Sequence, residues 1–146
     1  MRLSVLIICF LIFSAHGSQP ELMIAKGFGT VDLTVIKIKS QALMMARRAA
    51  QVDAQRNLAE QIRGVKITGG TTMEEYEISS DIVATRVKGF LRGAFELDQK
   101  VTEDAQSIVV EVDLAVCVNN THKSCVGKDT LSDLQNSMSE KPKASN

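Results

Sequence analysis

The stretch "MMARRAAQVDAQRNLAEQIRGVKITG", residues 44–69, decides the fold. Alanine recurs through a charged segment, which stops at Gly64 and turns β-branched at Val65 and Ile67. Leu43, Ala46, Ala50, Ala54, Leu58 and Ile62 recur at steps of three and four residues, so they form one stripe of an amphipathic helix. Arg47, Arg48, Gln51, Gln55 and Arg63 fall largely on the other side. Ser40 is placed to cap the start, and Gly64 to end the helix with a left-handed residue. Ala46, Ala50 and Ala54 stand one above another on the stripe. Side chains this small predict a helix lying tight against its partner surface, and the flanking segments identify that surface as a sheet.

Upstream, "AKGFGTVDLTVIKIK" (25–39) alternates Val31, Leu33 and Val35 with Asp32 and Thr34, the pattern of a half-buried strand. Its "GFG" invites a nucleotide-binding reading. Asp32 stands where the third glycine of that fingerprint belongs, however, and strand periodicity continues where a phosphate-binding helix should begin. Gly27 and Gly29 therefore mark a bulge or a close approach of backbone. Downstream, "VKITGGTTMEEYEIS" (65–79) reads as a further extended segment interrupted at Gly69-Gly70, and Asp81–Phe90 as a short second helix that Gly89 would break. "GAFELDQKVTED" alternates Phe95, Leu97 and Val101 with Glu96, Asp98 and Lys100. After a turn at residues 103–107, Ile108, Val110, Val112, Leu114, Val116 and Val118 face one way and Glu111 and Asp113 the other, completing an antiparallel hairpin. The predicted fold is α+β: one long helix packed on a mostly antiparallel sheet of about four strands, with a short second helix.

At the amino end, Met1-Arg2 precede an apolar run from Leu3 to Phe13, and "SAHG" (14–17) supplies small residues at the positions a signal peptidase reads. Residues 1–17 are thus read as a signal peptide, residues 18–126 as a single domain and residues 127–146 as a flexible polar tail, within which Leu131, Leu134 and Met138 could form a docking helical turn. Spanning a bilayer needs about 20 apolar residues, more than the run provides. Cys9 does not make a lipobox, because Ile8 precedes it where a small residue is required.

The chain carries 17 basic and 17 acidic residues, no Trp and one Tyr, so it offers neither a phosphate-neutralising field nor stacking platforms, and nucleic acid is not an expected partner. In an exported chain Cys117 and Cys125 read as a disulfide closing a short loop. Adding His122 would give three zinc ligands, but a structural zinc wants four. Candidate acid–base groups are Glu74, Glu75, Tyr76 and Glu77, the helix carboxylates Asp53 and Glu60, and His122. Asp53 with Arg56 and Glu60 with Arg63 have the spacing of ordinary helix-surface pairs, and no nucleophile elbow, metal-binding His pair or phosphate loop accompanies them. No catalytic residue, metal or cofactor is expected.

"ARRAAQVDAQRNLAEQIRGVKITGGTT" (46–72), "SSDIVATRVKGFLRGAFEL" (79–97) and "SIVVEVDL" (107–114) resemble the bacterial Lpp-twenty lipoprotein family over about residues 25–118. The resemblance implies an envelope protein that assembles with copies of itself into a ring or disc around the flagellar basal body. Its neighbours would be other flagellar envelope or basal-body proteins. Family members usually carry a lipobox cysteine, which this chain lacks. The expected location is therefore the periplasm, at the outer-membrane side of the basal body, with the membrane reached through a lipidated partner. The alternative is a small periplasmic adaptor or binding module that does not form rings.

Overall fold

Two glycines in a strand and a ladder of alanines in a helix meet at the centre of the fold. The computed structural model describes residues 21–66 and 71–139. The proposed signal peptide, the Gly69-Gly70 interruption and the end of the polar tail lie outside them. In chain order the elements are β1 (Leu22–Asp32), α1 (Lys39–Arg63), α2 (Met73–Ser79), α3 (Asp81–Arg92), β2 (Phe95–Glu103), β3 (Ser107–Cys117) and α4 (Leu131–Ser139). The sheet is antiparallel, in the order β1-β3-β2, so both β1 and β2 are edge strands. The architecture is the α+β one expected, with three strands in place of about four.

The expected extended segment after Gly64 contributes no named strand among the described residues. Lys66 and Thr72 form a single antiparallel bridge, and α2 follows at once. Thr72 and Glu75 make a capping box: the Thr72 hydroxyl accepts from the Glu75 N–H, and the Glu75 carboxylate accepts from the Thr72 N–H at 2.7 Å. Two backbone donors that a helix start would leave unpaired are thereby satisfied, and the chain from Met73 is helical where the extended segment was expected to run on. α3 is a full helix that runs through Gly89, beside which lies open space.

α1 buries Ala42, Ala46, Ala50, Ala54, Leu58 and Ile62 completely. Leu43, assigned to this stripe from sequence, is 36% exposed and Ala42 takes its place. The reason is that the buried positions keep a strict four-residue spacing. Four residues of helix rise about 6.0 Å, close to the roughly 6.6 Å that separates successive same-face residues of a strand. α1 runs back along β1, so the two repeats stay in step: Gly29 lies under Ala46 and Ala50, Gly27 under Ala50 and Ala54. A Cβ on either glycine would overlap helix backbone, so the close-approach reading of "GFG" holds; the β1–β3 register runs without a bulge. Four-residue spacing also drifts about 40° per step around the helix. At its carboxyl end, beyond the two glycines, the stripe carries the larger side chains Leu58 and Ile62, both fully buried.

β1 ends at Asp32, earlier than Lys39, because the Asp32 carboxylate accepts from the Thr34 N–H at 2.7 Å and turns the chain. Ile38, not Ser40, is the N-cap of α1, and it provides no side-chain cap. Gly64 does end α1, but in right-handed backbone at φ −72°. The β2–β3 hairpin forms as expected, with one register shift at Leu97. Ile108, Val110, Val112, Leu114 and Val116 face the helices and are buried. β3 stops at Cys117, leaving Val118 half-buried beyond it.

Residues 127–139 are not a flexible tail. Leu131 and Leu134 of α4 are buried, Thr130 and Asp133 cap its start, and the Arg86 guanidinium of α3 donates to the Ser137 carbonyl. The docking turn expected from Leu131, Leu134 and Met138 is this helix, and the folded domain extends at least to Ser139.

Candidate functional site

The two edges of the sheet are finished differently. Along β1, three polar residues of α1 spaced four apart reach outward backbone groups spaced two apart. Asp53 accepts from the Phe28 N–H at 3.0 Å, Asn57 donates to the Lys26 carbonyl at 2.8 Å, and Gln61 donates to the Ile24 carbonyl at 3.3 Å. This ladder follows from the same helix–strand register that sets alanine over glycine. It occupies groups that would otherwise template a foreign strand. Sequence reasoning gave Asp53 only its surface partner Arg56, a pair that does form at 2.8 Å. The readable signal was the four-residue repeat Asp53, Asn57, Gln61 beside the buried stripe.

The outward groups of β1 also fix the polarity of β2. Since Phe28 points its N–H away from β3, the opposite residue Glu111 directs its backbone toward β2 and pairs there with Lys100. By alternation, Gln99 and Val101 turn their backbone groups outward. Among the described residues, the side chain that meets this edge is Asp98, whose carboxylate accepts from the Gln99 N–H at 2.8 Å. Leu97 and Val101 on the same strand are 43% and 44% exposed. Among the described residues Asp98 and Lys100 make no ion pair, whereas Glu96 is held by Arg47 at 3.0 Å and Glu103 by Lys39 at 2.7 Å.

Among the described residues, nothing covers much of the sheet face opposite α1. Lys26 stands at its centre, 2.7 Å from Glu111 and 2.9 Å from Asp113, between exposed Ile24 and Phe28. Hydrogen bonds to Glu111 and then Asp113 hold the Lys26 ammonium well above its usual pKa. One end of this face is covered. Cys117 and Cys125 are bonded to each other and buried, and the segment that follows Cys125 lays the Lys128 ammonium 3.8 Å from the centre of the Phe95 ring. The zinc alternative loses both thiolates to that bond, and His122 instead accepts from the Ser124 N–H through Nδ1.

The candidate acid–base groups are dispersed. Glu75 is spent in the α2 cap, and Arg63 pairs with Glu77 at 3.0 Å, not with Glu60. Glu74, Glu77 and Asp81 line an open groove of about 770 Å³ together with Arg63 and Lys88, a mixture of both signs. Among the described residues no three His, Cys, Asp or Glu side chains are grouped to hold a metal ion, and no helix is long and apolar enough to cross a membrane. Compared with known protein families, curated proteins and solved structures, the chain finds no match.

Proposed function

We propose that the protein is a non-enzymatic structural subunit of a ring or disc around the bacterial flagellar basal body, in the periplasm at the outer-membrane side, supporting assembly and motility. What supports the reading is the resemblance of residues 46–72, 79–97 and 107–114 to the Lpp-twenty lipoproteins, among them the flagellar outer-membrane lipoprotein FlgP. The structural observation that carries it is the unequal finish of the sheet: Asp53, Asn57 and Gln61 of α1 bond to the outer edge of β1, while among the described residues no other element covers the β2 edge or the face around Phe28. Such surfaces suit contact between copies. Electron tomography of motors with and without the gene tests it. Loss of a ring-like density together with reduced motility is the expected outcome, and unchanged rings in the deletion strain would overturn the reading.

One observation favours a second reading. Because α1 side chains lie along β1, it is a poor edge for sheets to continue head-to-tail from β2 of one copy to β1 of the next. A single open edge is also what an adaptor needs to accept one strand of a partner. Intact rings with impaired motility in the deletion strain would favour that alternative.

A further inference from the structure

We propose that the β2 edge pairs with the β2 edge of a second copy, antiparallel and centred on Gln99, joining two three-stranded sheets into one of six strands. The inference deepens the assembly reading by naming one contact between copies. Its test is made on purified protein, so it can fail while motor rings persist and stand while they are absent.

Outward backbone on β2 belongs to Gln99 and Val101, so a two-fold pairing must set outward residues opposite one another. Centring on Gln99 places Lys100 opposite Asp98 of the other copy, and Asp98 opposite Lys100. Each Asp98 carboxylate leaves the Gln99 N–H it caps in the single copy, frees that donor for the axis and joins Lys100 in one of two ion pairs; neither charge has an ion-pair partner among the described residues. It also brings exposed Val101 toward exposed Leu97 of the other copy, at the point where the register shift interrupts the regular ladder. The faces agree: Asp98 and Lys100 stand opposite Asp113 and Glu111 of β3 and so share the bare face of the sheet. Gln99 and Val101 stand opposite Val112 and Val110, on the helix side.

Neighbouring registers do worse. Centring on Lys100 sets lysine against lysine, and centring on Asp98 sets aspartate against aspartate; like charges directly opposite are destabilising. Centring on Val101 sets Asp98 against Asp104 and leaves Lys100 facing Thr102. β1 is a poorer edge than β2, because α1 side chains lie along it and take one outward group on each of Ile24, Lys26 and Phe28. A two-fold contact closes on itself. The pair is therefore a dimeric unit, and any larger assembly uses a different surface.

The test is the mass of the purified protein by sedimentation equilibrium across a concentration series. The wild type should move from monomer to dimer. Asp98→Lys faces Lys100 of the other copy and should weaken the dimer by at least about tenfold, while gaining an attractive neighbour in Asp113 of its own sheet. Asp98→Lys with Lys100→Asp restores opposite charges across the axis and should restore the dimer. Val101→Pro provides an independent check, because the N–H it removes points outward and the strand's own ladder keeps its bonds; it should be a folded monomer by circular dichroism. A wild type that stays monomeric at every concentration, or an oligomer whose mass is unchanged in folded Asp98→Lys and Val101→Pro, would overturn the proposal.

Discussion

Gly29 of β1 sits beneath Ala46 of α1 with no space for a methyl group between strand and helix backbone. The same contact recurs one repeat away, where Gly27 meets Ala50 and Ala54. A helix buries alanine here because the strand beneath it carries glycine, and the two backbones come together in place of side chains.

Gly29→Ala or Gly27→Ala should overpack this contact and destabilise the protein by about 3 kcal/mol or more, at the upper end of overpacking costs. Gly89→Ala is the control. Its Cβ would enter open space inside α3, so the protein should gain about 0.5–1 kcal/mol. Urea unfolding of the three variants reads both signs. Ala50→Leu should behave like the first pair, and Gln55→Leu, on the exposed side of α1, should change little.

Asp53 joins helix to strand edge, so Asp53→Ala should cost about 1 kcal/mol for the lost bond to the Phe28 N–H. It should also open the β1 edge to foreign strands. Asp53→Asn keeps an acceptor and should retain much of the stability. Light scattering on prolonged incubation separates the two variants, with aggregation expected for alanine and not for asparagine.

Thiol titration of the unreduced, unfolded protein should find Cys117 and Cys125 unreactive. Replacing both by serine should cost about 2–3 kcal/mol on the chain-entropy estimate. It should also loosen the segment after Cys125 that carries Lys128 over Phe95, read as loss of amide protection at residues 115–117.

Asp104 closes the β2–β3 turn. The Gln106 N–H, the Ser107 N–H and the Ser107 hydroxyl, at 2.7, 2.7 and 3.0 Å, hold its carboxyl below the usual 3.8. A depressed folded pKa means that this contribution is complete above about pH 4 and fades as pH falls through the folded value. The melting-temperature gap between wild type and Asp104→Ala should therefore be flat at neutral pH and narrow as the solution is acidified below about pH 4.

Periodicity made much of this fold legible. The stripe from Ala46 to Ile62 and the alternation from Ile108 to Val116 each name a buried face, and both faces are buried. Leu43 was misplaced because hydrophobicity favours leucine over Ala42, whereas the contact with a glycine-bearing strand favours the smaller residue. The α2 cap was written in Thr72 and Glu75, but β-branched residues around Gly69-Gly70 masked it. The site was less legible. Whether Gln99 or Phe28 turns its backbone outward depends on strand order, which pairs β3 with both β1 and β2 and which no local pattern specifies. Asp53, Asn57 and Gln61 likewise acquire their role only once α1 lies along β1.

One sheet edge is bonded from within by α1 and the other receives a second copy. Residue-resolved amide exchange over a concentration series tests this most directly. The Phe28 amide, bonded to Asp53, should exchange slowly at every concentration, while the Val101 amide should exchange fast in dilute protein and slow as dimers form. A Phe28 amide that exchanges as fast as Val101 in dilute protein, or a Val101 amide indifferent to concentration, would contradict the account.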